Sequence, residues 1–159
     1  MRVHRRFMLA LVVVSGASRV YAGQQHVADL SALVRSADAV VLSRCDTPTS
    51  SWTGDPPIIV TRHACRIEQT FKGDAGAAVT VQTLGGRVGD VTMSASAGAT
   101  LTAGTDFVLL LQRSTFGDYY VVAGGADGAL PVSGAYAQRV VSGMSLDNFA
   151  RWVHDASRP

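Results

Sequence analysis

Short apolar, β-branched runs, each closed by a glycine or proline turn at close spacing, leave this chain few architectures besides a small barrel or sandwich. Ala39 to Cys45 (AVVLSRC) is a first strand. Ile58 to Phe71 is a long second one, turned by Lys72-Gly73-Asp74. Ala78 to Leu84 (AVTVQTL) alternates cleanly, Val91 to Ser96 is weaker, and Asp106 to Gln112 (DFVLLLQ) reads as buried. Phe116-Gly117-Asp118 turns that strand into Tyr119 to Ala123, and Asp127-Gly128 signals a hairpin before Ala129 to Val132. Asp46 to Pro57 (DTPTSSWTGDPP) is a polar loop with three prolines and one glycine. Asp29 caps a short helix through about Ser36. Ser145 caps a final amphipathic helix with Leu146, Phe149, Trp152 and Val153 on one face. The expectation from this pattern is a mainly β chain, a small barrel or sandwich with a short N-terminal helix and a C-terminal amphipathic helix. Closure would remove the exposed sheet edges that make β proteins aggregate.

The N-terminus reads as an export signal. Arg2, Arg5 and Arg6 precede an unbroken apolar run from Phe7 to Val14, and Val20-Tyr21-Ala22 is a small-residue cleavage site. The run is too short to span a bilayer. Four of the fourteen Lys and Arg residues (Arg2, Arg5, Arg6, Arg19) lie in this segment, so beyond Ala22 ten basic and twelve acidic side chains remain, a net charge of −2. The expected layout is a signal peptide at 1–22 and one domain at 23–159, secreted or periplasmic. No membrane contact is expected after cleavage. An acidic mature chain also loses the main reason to expect nucleic acid as a partner.

Several stretches together carry a resemblance. They are Ala37-Asp38-Ala39-Val40-Val41-Leu42-Ser43, then Ile67-Glu68-Gln69-Thr70-Phe71-Lys72-Gly73, then Val79-Thr80-Val81-Gln82-Thr83, and last Gly104-Thr105-Asp106-Phe107-Val108-Leu109-Leu110-Leu111. Their order resembles the netrin-like domains, among them the N-terminal domain of tissue inhibitors of metalloproteinases and small exported bacterial domains. The resemblance covers Asp38 to Leu111 and implies an OB-type barrel that binds protein. In the metalloproteinase inhibitors a cysteine begins the mature chain and chelates the target's zinc. Here Gly23 is the expected first residue and no cysteine precedes Cys45, so that chemistry does not transfer.

Cys45 and Cys65 are the two cysteines of the chain, on consecutive expected strands. In an oxidising compartment they form a structural disulfide. The alternative is a metal site: His63 and Cys65 lie two apart on one strand and share a face, so with Cys45 they offer three soft ligands. His63 is otherwise a hydrogen-bonded core residue. His26 sits in the leader from Gln24 to Ala28, and His154 in the last helix. No G-x-S-x-G, H-E-x-x-H or S-x-x-K set is present, so catalysis would need an exported hydrolase with dispersed residues. No catalytic residue is assigned and no cofactor is implied.

The candidate partner-binding residues are Trp52, Arg87, Phe116 and Tyr119. Trp52 stands amid Ser, Thr, Pro and Gly, and either folds back over the barrel mouth or anchors a partner. Arg87 lies in the turn Gly85-Gly86-Arg87-Val88-Gly89-Asp90. This turn lacks dinucleotide-loop spacing and leads into a strand. Phe116 and Tyr119 flank another turn. The leading expectation is therefore a binding module whose surface joins Asp46 to Pro57 with Gly85 to Asp90. Its partner is expected to be a protein, with an exported protease among the candidates.

Overall fold

The computed structural model describes residues 29–134 and 139–158. The signal segment, its cleavage site, and the leader with His26 lie outside the described residues.

Helix α1 (Leu30–Ser36) begins where expected: Asp29 accepts from the Ser31 hydroxyl at 2.7 Å and from the Ser31 N–H at 3.0 Å, and these bonds, the hydroxyl's above all, hold its carboxyl below the usual range. Strand β1 (Ala39–Cys45) follows, then β2 (Thr49–Thr53), β3 (Ile58–Lys72) and β4 (Ala78–Leu84). The short pair β5 (Gly86–Val88) and β6 (Val91–Met93) forms a separate hairpin. Then come β7 (Asp106–Arg113), β8 (Tyr120–Val122), a 3-10 turn at Gly125–Gly128, β9 (Ala129–Ser133), β10 (Val140–Val141), β11 (Met144–Ser145) and α2 (Leu146–Ala156).

Five strands close a barrel in the order β1-β3-β4-β8-β7, with β7 returning to β1 from Ala39↔Leu111 to Arg44↔Asp106. Within the barrel β4 and β8 run parallel, at Val81↔Tyr120, and the other pairings are antiparallel. This is the OB-type barrel.

The closing strands explain their own sequences. Along β1 and β7, Ala39, Val41, Leu109 and Leu111 point into the barrel. The alternate residues Val40, Leu42, Val108 and Leu110 form a second core with Val34 of α1 and with Phe149 and Val153 of α2. Both strands are buried on both faces and so read as continuous apolar runs instead of alternating ones. Phe149 is fully buried and meets Phe71 edge-on, with ring centroids 5.4 Å apart. At the start of α2, Ser145 accepts from the Asn148 N–H, as a capping serine should.

The structure corrects four local expectations. The polar loop from Asp46 to Pro57 contains a strand, β2, paired with β3 from Thr49↔Arg62 to Thr53↔Ile58. Exposed on most of its length, it carries no apolar alternation to betray it. The turn from Gly85 to Asp90 contains β5, and the strand expected to reach Ser96 stops at Met93. Asp127-Gly128 closes a 3-10 turn, not a hairpin: the Asp127 N–H bonds back to the Gly124 carbonyl at 3.3 Å. The two-residue strands β10 and β11 are too short to leave a periodicity.

Candidate functional site

The two segments expected to form one surface do meet. Ser50 of β2 hydrogen-bonds Thr61 of β3 at 2.8 Å, and the Thr61 hydroxyl donates to the Gly85 carbonyl at 2.7 Å. Gly86 sits against this hydroxyl pair at φ +131°, where a Cβ would collide with both oxygens. Glycine is therefore required for the β5 backbone to come this close.

Trp52 lies on β2 opposite Ile59 and is 47% exposed. It neither seals the barrel nor projects from a loop: a two-stranded hairpin holds it with nearly half its surface in solvent. Ile58 stands at the adjacent register position, and Leu84, 58% exposed, ends β4 opposite Val60. Val91 is exposed on the β5–β6 hairpin. Among the described residues, four of the five exposed large apolar side chains therefore belong to the strands at this end of the barrel, Phe116 being the exception. Arg87 lies on β5 with its side chain exposed, and its Nε donates to the Gly89 carbonyl at 3.0 Å, closing its own turn.

Phe116 and Tyr119 belong to a different surface. Both lie between β7 and β8, and Phe116 is 92% exposed. Tyr119 is half-buried, its ring lying against Gly117, and it lines an open cleft of about 600 Å³ with Asp46, Arg66, Asp74 and Arg113. Trp52 and Arg87 are not among the walls of that cleft. Tyr120 is buried beneath the Arg113 guanidinium, 5.2 Å from its ring centroid.

Cys45 and Cys65 are opposed in register and joined as a disulfide. This corrects the alternative metal set of Cys45, His63 and Cys65. With both sulfurs bonded to each other neither is a thiolate, and one imidazole remains. Among the described residues no group of three His, Cys, Asp or Glu side chains could hold a metal ion. His63 is buried in the barrel wall, its Nε2 3.3 Å from the Thr83 hydroxyl. That hydroxyl reaches the Thr61 carbonyl, 3.5 Å away. A donating Thr83 must accept from Nε2, so Nε2 carries the proton and Nδ1 is a bare acceptor. Nδ1 has no hydrogen-bond partner among the described residues. Burial pushes the His63 pKa down and favours the neutral ring. His154 lies elsewhere, exposed on α2 with Nδ1 3.6 Å from Asp155. Neither contact by itself joins a nucleophile, a histidine and a carboxylate in one chain.

Sequence reasoning missed one charged assembly. Asp106 of β7 takes Arg44 of β1 at 2.6 Å and Arg139 at 3.0 Å, and Arg139 also reaches Glu68 of β3 at 2.7 Å. The hydrogen bond from Arg44 is the main cause that holds the Asp106 carboxyl below its usual range. No local motif announces such a cluster, because its members come from four separate stretches of chain.

No helix among the described residues is long and apolar enough to cross a membrane. Comparison with models of known protein families finds none that matches the chain, and comparison with curated proteins finds no match either.

Proposed function

We propose that this chain is an exported, netrin-like OB barrel that works by binding another protein, with the β2–β3 hairpin as its contact surface. The observation that carries the reading is Trp52, nearly half exposed on the β2–β3 hairpin, with Ile58, Leu84 and Val91 also exposed on strands at the same end of the barrel. A large exposed aromatic held on a rigid strand is a usual anchor of an interface centre. Arg87, beside them on β5, supplies a charge at the rim. The disulfide fits an oxidising compartment, in keeping with the export signal. An exported protease is the partner kind that the netrin-like resemblance suggests. The zinc-chelating amino terminus of the metalloproteinase inhibitors has no counterpart here.

The test is affinity capture from the exported fraction with the wild-type protein, Trp52→Ala and Phe116→Ala. Trp52→Ala should weaken capture of the specific partner by about 2 kcal/mol or more, roughly thirtyfold. Phe116→Ala should leave it intact, since Phe116 stands on the other surface. Equal capture by wild type and Trp52→Ala would remove the hairpin from the interface.

A further inference from the structure

The β2 strand has a second edge. The Gly85 N–H donates to the Ile59 carbonyl, and the Asp46 N–H donates to the Ala64 carbonyl, both at 2.9 Å. In an antiparallel ladder the N–H and C=O of one residue face the same neighbour, and successive residues alternate. Ile59 and Thr61 therefore face β4, while Val60 and Arg62 face β2. Their register partners Ser51 and Thr49 are the β2 residues bonded to β3. Ser50 and Trp52 turn their backbone N–H and C=O the other way, to an edge with which no described strand pairs.

We infer that this edge receives an extended segment of the partner protein as an added β-strand, with Ser50 and Trp52 supplying the backbone hydrogen bonds. The inference rests on the binding function proposed above and names the form its partner takes. Unpaired, regularly spaced backbone groups are satisfied by another extended backbone, which is the basis of strand addition. Protected edges carry inward charges, prolines or bulges. The five residues of β2, Thr-Ser-Ser-Trp-Thr, carry none of these.

Charge identifies the occupant further. Asp46 and Asp55 bracket β2, and neither carboxylate makes a hydrogen bond or ion pair among the described residues. A second copy pairing antiparallel would set Asp46 of one chain near Asp55 of the other at both ends. Like charges so placed repel. An extended segment with an uncharged centre and basic ends meets no such repulsion.

The probe is a synthetic peptide of alternating valine and threonine with a lysine at each end, about seven residues long, an ordinary strand length. Amide hydrogen exchange of the protein is followed with and without it. The peptide should slow exchange at Ser50 and Trp52. N-methylation of its alternate amides, on the edge facing β2, should weaken binding by about tenfold or more as two backbone hydrogen bonds are lost. Glutamate ends should also weaken it. Unchanged exchange at Ser50 and Trp52, or equal binding of parent and N-methylated peptides, would overturn the inference. Protection of both amides by self-association, seen in sedimentation without peptide, would overturn it in favour of a second copy. If Trp52→Ala loses partner capture while N-methylation has no effect, edge pairing fails and the binding function stands. If capture is insensitive to Trp52, that function fails on its own evidence.

Discussion

Lys72 Nζ lies 2.7 Å from the carbonyl oxygen of Val34, across the seam between the end of β3 and the end of α1. The same ammonium reaches the Arg35 carbonyl at 2.9 Å and the Ala37 carbonyl at 2.7 Å. The chain's single lysine thus spends all three donors on the open carbonyls at a helix C-terminus. Lys72→Met keeps the apolar stem and removes the donors. It should cost about 1.5–3 kcal/mol in denaturant unfolding, the range for hydrogen bonds to a charged group. An unchanged midpoint would mean that water serves those carbonyls as well.

Leu109 is fully buried inside the barrel, on the strand that closes it. Leu109→Ala should destabilise by about 2–5 kcal/mol. A loss under about 1 kcal/mol, the scale of surface changes, would contradict its place in the core.

Mass spectrometry of non-reduced digests should find the peptides of Cys45 and Cys65 linked. Their bond spans a sequence separation of 20. Replacing both by alanine should cost about 3 kcal/mol through the freed unfolded chain. Two titratable thiols in the purified protein would be the contrary result.

His63 gives stability a pH dependence of definite sign. Its folded pKa lies below the ordinary 6.5 because burial disfavours the imidazolium. Below 6.5 the unfolded chain binds a proton that the folded chain resists. His63 therefore contributes its full stability above 6.5, and that contribution falls as pH drops toward the folded pKa. Unfolding free energies of wild type and His63→Gln, measured between about pH 8 and 5 around the ordinary histidine pKa, should differ in slope, with the wild type falling more steeply. Parallel curves would place the histidine in contact with water.

Amino-terminal sequencing of exported protein should begin at Gly23. Retention of Phe7 to Val14 in material from the membrane fraction would show an anchor instead.

How much the sequence disclosed follows burial. AVVLSRC and DFVLLLQ are readable because burial on two faces selects apolar residues along most of each run, and their observed limits match to within one residue. Both helices announce themselves through capping side chains, Asp29 and Ser145. β2 is unreadable for the opposite reason. It is solvent-exposed and polar, and only its pairing with β3 makes it a strand. Trp52 stands out in the sequence as an isolated aromatic, but its setting on a strand with a free edge does not. The Arg44, Asp106, Arg139 and Glu68 assembly arises only when β1, β3 and β7 are brought side by side. Lys72-Gly73 reads as a simple turn, yet Gly73 at φ +71° lets the chain pass against the Asp38 carbonyl while Lys72 reaches the helix.

The disulfide has a topological consequence for the hairpin that carries Trp52. Cys45 and Cys65 bracket the whole of β2, the turn after it and the first half of β3. A peptide bond cut anywhere between them, including the exposed turn at 54–57, opens a loop without releasing a fragment. The nicked molecule keeps both halves covalently joined at the base of the hairpin, and the strands above that base remain neighbours.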